Sequence, residues 1–254
     1  MKFKKAIVKI PGKSIENGLS SSDLGQPDYK KALEQHSQYI KALEKCGLSV
    51  TVMESDEKYP DSTFVEDTAL LTPDCAVITN PGAESRTGET DAMEETINQY
   101  YTNIERITTP GTLDAGDVMM VGNHFYVGLS ARTNYEGAKQ LNRILNKYGM
   151  STSSIPLSTM LHLKSGVSYL ENNNLVVAGE FIGREDFNIF NKIIVDDKEI
   201  YAANCLWIND TVLIAKGYPD LKKNIELLGY QIIALDMSEF RKVDGGLSCL
   251  SLRF

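Results

Sequence analysis

Cys249 lies in the run Lys242-Val243-Asp244-Gly245-Gly246-Leu247-Ser248-Cys249, near the end of the chain. A thiol can serve as a nucleophile only as the thiolate, and with an ordinary pKa of about 8.5 few are ionised at neutral pH. The two glycines ahead of it leave a backbone able to approach a ligand closely. That setting differs from a cysteine that merely fills core space. His162, in Leu161-His162-Leu163-Lys164, offers the near-neutral imidazole suited to general acid and base work. A histidine between leucines is also at home in a core. Carboxylates cluster at Val65-Glu66-Asp67 and at Leu113-Asp114-Ala115-Gly116-Asp117, where turn and cap roles suit them too. Buried side by side they are costly unless paired. A guanidinium between them removes that cost through planar, paired hydrogen bonds. Thiol, imidazole and carboxylates together describe covalent chemistry on a planar cation.

The remaining candidates read as structural. Cys46 and Cys75 sit beside a helix end and a hairpin turn, and His36 falls on the polar, surface-facing side of a Lys- and Glu-rich helix. His124 sits in a hairpin without an acidic neighbour, and Cys205, between Asn204 and Leu206, fits core and site equally. No Cys-x-x-Cys pair and no histidine spacing suits a metal. Neither a metal nor any other cofactor is expected.

A recurring strand–turn–strand–helix–strand pattern could bring these residues together. One copy places strands at 68–71 and 76–79, a helix at 89–101 and a strand at 104–107. The next has strands at 118–121 and 125–128 and a helix at 134–147. A third has strands at 167–170 and 175–178 with a helical segment at 186–192, and a fourth strands at 205–208 and 212–215 with a helix at 219–228. The fifth is split: 249–254 would pair with 5–10, and a helix at 29–45 and a strand at 48–53 complete it. Asn, Asp and Gly in the hairpins suit turns that need positive φ. Units recurring every 40–50 residues or so signal a repeat architecture. One unit cannot bury its own apolar face, so the five must close around a common axis. The polar runs that open each unit would then converge, and Cys249 would be held rigidly. No Gly/Ser-rich linker divides the chain, so residues 1–254 read as one domain.

With 42% hydrophobic residues in 254, the chain can bury a core without disulfides or metal. A net charge of −8 argues against a nucleic-acid partner, which needs a basic face, and is compatible with a cationic small-molecule substrate. No apolar run reaches the ~18 residues of a membrane span, and the start reads as a strand, not a signal peptide. A cytoplasmic protein with free thiols is expected, and a homodimer is compatible with the sequence.

Several motifs in the same order resemble the dimethylarginine dimethylaminohydrolase family. They are Asn17-Gly18-Leu19, Phe64-Val65-Glu66-Asp67, the segment from Arg106 through Asp114 to Asp117, Gly128 to Asn134, Leu161 to Lys164, and Lys242 to Cys249. The similarity extends over essentially the whole chain. It implies the pentein fold, a five-bladed α/β propeller of ββαβ units closed through the two termini. It also implies Cys249 as nucleophile, His162 as general acid/base, and Asp114 as the carboxylate that orients the histidine, where some relatives have Glu. Glu66 and Asp67 match residues that grip the guanidinium, Arg86 and Arg132 those that hold the substrate α-carboxylate, and Asp61 with the backbone at Leu19 those at its α-amino end. The implied reaction converts Nω-methylated arginine to citrulline and a methylamine through a cysteine thiouronium. An arginine deiminase is the nearest rival, though those enzymes are generally longer. A non-catalytic pentein binding protein is the rival from another class, and it predicts no convergence of Cys, His and carboxylates.

Overall fold

The computed structural model describes residues 2–254. Strands alternate with helices in the expected order and form five three-stranded sheets. β1 (Lys5–Lys9) pairs in parallel with β2 (Ser49–Met53), across helix α1 (Tyr29–Lys45), and antiparallel with β15 (Leu252–Arg253) from the other end of the chain. The next sheet holds β3 (Ala69–Leu71), β4 (Ala76–Ile78) and β5 (Ile104–Arg106), with α2 (Thr90–Ile97) crossing between the last two. β6 (Val118–Val121), β7 (His124–Leu129), α3 (Tyr135–Lys147) and β8 (Ser151–Pro156) make the third. A helical turn, α4 (Leu163–Gly166), leads into β9 (Val167–Tyr169), β10 (Asn174–Val177) and β11 (Asn191–Ile194). The last sheet is β12 (Leu206–Ile208), β13 (Thr211–Ala215) and β14 (Gln231–Leu235), with α5 (Pro219–Leu227) before β14 and α6 (Ser238–Arg241) after it.

Every sheet repeats one pairing rule: its first two strands are antiparallel and its third is parallel to the second. A parallel return needs a crossover, which is why a helix precedes the third strand in four of the five units. Residues from β3, β6, β9, β12 and β15 all line one central cavity of about 290 Å³. The first strand of each unit therefore faces a shared axis, and the chain folds as an α/β propeller of ββαβ units. In the third sheet Leu141, Ile144 and Leu145 of α3 bury against Phe125 and Val127. Each such side chain contributes roughly 1.5–3 kcal/mol on burial. At the β12–β13 hairpin Asn209 and Asp210 take φ of 46° and 74°, the left-handed pair that a tight hairpin turn requires.

Three expectations are corrected. Residues 186–192 hold no α-helix: short 3₁₀ turns at Gly179–Phe181 and Glu185–Phe187 lead directly into β11. Phe181, Phe187 and Phe190 are buried in one cluster, and the spacing of three between the last two suits the tighter turn. Cys249 stands in a 3₁₀ turn, Ser248–Leu250, and not on a strand. His36 is buried, its ring 6.5 Å from that of Phe240, because α6 covers what looks like a polar face of α1. Burial pushes the His36 pKa down to about 4, and its Nε2 has no partner among the described residues. No helix is long and apolar enough to cross a membrane.

The α3 cap ties the helix to the preceding loop. Asn134 Oδ1 accepts the N–H of Gly137 at 2.8 Å and of Thr112 at 3.1 Å, while its Nδ2 donates to the Pro110 carbonyl at 2.9 Å. Asn134→Ala is therefore expected to lower stability by about 1–2 kcal/mol. Urea unfolding with an unchanged midpoint would contradict this cap role.

Candidate active site

A recurrent local device positions the polar side chains. A helical turn precedes the first strand of each unit with at most two residues between them: Val65–Thr68, Ala115–Asp117, Leu163–Gly166, Asp197–Ala203 and Ser248–Leu250. Such a turn aims side chains toward the axis just before the strand begins. Asp67, His162 and Cys249, with Leu19, Asp61 and Arg132 from loops and Arg86 from the 3₁₀ helix Glu84–Glu89, line one small cavity of about 40 Å³. It adjoins a wider space of about 510 Å³ that Cys249 and His162 also line, together with Leu24, Met160, Leu161 and Tyr201.

Asp114 is fully buried, and its Oδ2 lies 3.0 Å from Nε2 of His162 while Oδ1 accepts the Gly82 N–H at 2.8 Å. This leaves Nδ1 of His162 as the nitrogen free to exchange a proton. Burial alone would lower the His162 pKa, but the charge of Asp67, the hydrogen bond to Asp114 and the charge of Asp117 outweigh it, and the value rises to about 9. Asp114 moves the other way: burial disfavours its charge, but the histidine and Arg86 hold its pKa below the usual carboxylate range. At neutral pH the pair is an imidazolium on a carboxylate.

The Cys249 thiol is pushed up to about 12, first by burial and then by the charges of Glu66 and Asp67, with the Gly246 N–H opposing from 3.4 Å. It is a resting thiol, not a thiolate. The glycines have a different use from the one their sequence suggests. A Cβ on Gly245 would sit 2.2 Å from the Phe64 ring, and one on Gly246 2.5 Å from Asn204. Their absent side chains let the Cys249 turn pack down on the neighbouring units.

Two of the expected substrate-binding side chains are already engaged by neighbours. Glu66 does not line the small cavity; its Oε1 takes Lys164 Nζ at 2.7 Å and Arg253 Nη2 at 3.1 Å, and its Oε2 takes Ser248 Oγ at 2.6 Å. With three of its roughly four acceptor positions taken, this carboxylate braces the turn under Cys249, and it also lines the wider space in front of the sulfur. Arg86 is buried with most of its donors spent on Glu89, on Asp67 Oδ2 at 2.6 Å and on the Phe64 carbonyl at 2.9 Å. It keeps one Nη1 hydrogen for the cavity. Arg132, by contrast, is half-buried with no hydrogen bond or ion pair to its guanidinium among the described residues, and it lines the same cavity. Asp61 Oδ1 accepts the Leu19 N–H at 3.0 Å; its Oδ2 has no hydrogen bond among the described residues, and Asp61 lines the cavity.

Asp67, Asp114 and His162 bring possible metal-ligand atoms within 4.8 Å of one another. Those atoms already serve one another and Arg86, Gly116 and Gly82, so an ion would have to displace bonds already made. Cys205 is a buried core thiol, pushed up to about 12 by burial. One functional residue escapes the sequence reading. Asp117 is fully buried, and its Oδ1 accepts the N–H of Leu163, next to His162, at 2.9 Å, while Oδ2 accepts Ser130 Oγ–H at 2.6 Å. Its place three residues after Asp114 is visible in the sequence, but only the fold puts it behind the imidazole.

Comparison with known proteins agrees with this geometry. The family model described as N,N dimethylarginine dimethylhydrolase, eukaryotic, matches residues 20–204. An N(G),N(G)-dimethylarginine dimethylaminohydrolase of Pseudomonas aeruginosa is 54% identical over 99% of this chain and 100% of its own. The chain belongs to the dimethylarginine dimethylaminohydrolase family. A Streptomyces coelicolor member of the dimethylarginine dimethylaminohydrolases is 33% identical over 100% of this chain and 98% of its own. A crystal structure of the Pseudomonas family member, a C249S mutant complexed with citrulline, superimposes with a TM-score of 0.99 at 53% identity, covering 100% of both chains. The N-terminal domain of ArgZ, a cyanobacterial arginine dihydrolase, shares only the fold, at 17% identity and a TM-score of 0.89 over 98% of this chain and 97% of that one.

Asp117→Asn keeps the shape and removes the charge. The His162 titration, at about 9 in the native protein, is expected to move down by about one pH unit when that neighbouring charge is lost. The imidazole NMR signal of His162 followed against pH reads it directly; an unmoved midpoint would leave Asp117 as a backbone brace only.

Proposed function

We propose that this chain hydrolyses Nω-methylated arginine to citrulline and dimethylamine or methylamine, with Cys249 as nucleophile. The observation that carries this reading is the charge layout of the small cavity. Asp67 lines it beside the thiol and the imidazolium, while the unpaired guanidinium of Arg132 and the free oxygen of Asp61 mark places for a carboxylate and an ammonium. An α-amino acid with a cationic side chain satisfies all of these at once. The C249S substitution of the Pseudomonas structure, and the H162G substitution of a second dimethylarginine dimethylaminohydrolase structure in adduct with S-methyl-L-thiocitrulline, fall on a cysteine and a histidine with the numbers of the proposed pair.

The mechanism follows from the resting charges. Burial and then the negative neighbours hold the Cys249 proton on; a guanidinium placed against the sulfur offsets them, and the proton passes to solvent water. The thiolate attacks the guanidinium carbon, forming a C–S bond. As the tetrahedral adduct collapses, the C–N bond to the methylated nitrogen breaks and His162 protonates the leaving amine. His162, now neutral, takes a proton from water as the oxygen adds to the thiouronium carbon. The C–S bond breaks, the hydroxyl proton of the adduct passes to the departing sulfur, and citrulline leaves with the Cys249 thiol restored. The residues complete this cycle without a cofactor. The chain acts as one catalytic domain, 1–254, in the cytoplasm, on a small molecule alone, and a homodimer would leave the site complete in each copy.

The deciding experiment measures citrulline from asymmetric dimethylarginine and from arginine in parallel. Faster release from arginine would favour the deiminase reading. Cys249→Ser is expected to reduce turnover below detection while substrate still binds, and retained activity would remove the sulfur from the mechanism. If neither the native chain nor any variant yields citrulline, the non-catalytic reading stands.

Arg132→Ala tests the carboxylate subsite. Loss of one charge-assisted contact is expected to raise KM roughly 10- to 100-fold with kcat little changed. An equal loss toward guanidines that lack a carboxylate would show that Arg132 serves another purpose.

A further inference from the structure

The axis of the ring carries a second cavity behind the catalytic one, of about 290 Å³. Glu66, Lys164 and Ser248 line it, and the same three line the space in front of Cys249. The two cavities therefore share a wall, and that wall is the floor of the axial one. Arg253 completes the floor. Lys164 Nζ and Arg253 Nη2 both donate to Oε1 of Glu66, at 2.7 and 3.1 Å, so two cations meet one carboxylate. Arg253 Nη1 is spent on Ser248 and Ser251 oxygens. Nε and one Nη2 hydrogen of Arg253, and two hydrogens of Lys164, remain without a partner among the described residues.

The one other charged side chain at this cavity is Glu171. It lies just past the end of β9, whereas Lys164 lies just before its start, so the strand separates it from the floor. Between floor and rim the walls are largely apolar. A surplus cation at the bottom of a low-dielectric cleft focuses an attractive field on an anion. The planar donors of arginine match a carboxylate in particular.

We propose that the axial cavity binds a small monocarboxylate with an apolar body, its carboxylate on Arg253 and Lys164 and its chain against Leu70, Met119 and Trp207. Nothing in the catalytic reading depends on this second site, and the site does not depend on that reading.

Trp207 is the sole tryptophan of the chain and lines this cavity, so its emission reports occupancy. Titrating the full-length protein with hexanoate is expected to give a saturable change that the uncharged isostere hexanamide does not. Arg253→Met should weaken it at least tenfold, whereas Arg132→Ala, in the catalytic cavity, should leave it intact. No saturable change, an equal response to hexanamide, or loss of the signal in Arg132→Ala would each overturn the proposal. Should Arg253→Met fail to fold, a crystal soaked in 6-bromohexanoate decides. Bromine density between the five inner strands supports the site, and bromine elsewhere or nowhere refutes it.

Discussion

Glu66, Asp67, Asp114 and Asp117 are all buried around one axis, and the rest of the molecule is arranged to make that tolerable. Taking even one unpaired carboxylate out of water costs several kcal/mol. Each is therefore given donors, most of them from other units of the ring. Glu66 takes Lys164, Arg253 and Ser248; Asp67 takes Arg86 and the Gly116 N–H; Asp114 takes His162 and the Gly82 N–H; Asp117 takes Leu163 N–H and Ser130. The bonds that neutralise the hub also join four of its five units. Site and fold are held by the same contacts.

That concentration of negative charge sets the chemistry. It raises the imidazole, and it adds to burial in raising the thiol, so the unliganded centre holds an acid ready to donate and a sulfur that is not yet nucleophilic. A thiol kept protonated also resists oxidants and stray electrophiles, because the thiolate is the reactive form. Only a ligand that brings a cation to the sulfur reverses the field. Selectivity for a guanidinium is thus built into activation itself as well as into binding.

The repeated helical turn before each inner strand explains how one architecture distributes different roles. Equivalent turns deliver an acidic pair, a carboxylate brace, a histidine and a cysteine to a common centre. The fourth delivers Asn204, which accepts the Ser248 N–H at 2.9 Å and donates to the Lys164 carbonyl at 3.0 Å. Mounting side chains at the ends of rigid elements fixes their directions with little loop entropy left to lose.

The sequence by itself determined the five-unit repeat and most element positions, and it singled out Cys249, His162 and Asp114 as candidates, because hydrophobic period and turn chemistry are local and those residues stand in short distinctive runs. The 186–192 segment failed as a helix because pairing with β10 and burial of three phenylalanines are non-local. His36 failed because a helix face is polar or apolar only with respect to what covers it. Glu66 and Arg86 show the same limit: their types advertise ligand binding, but whether a charge is free or already spent depends on partners up to 187 residues away in the chain. Tertiary structure alone decided that allocation, since the cost of burying a charge is settled by its neighbours in space and not in sequence.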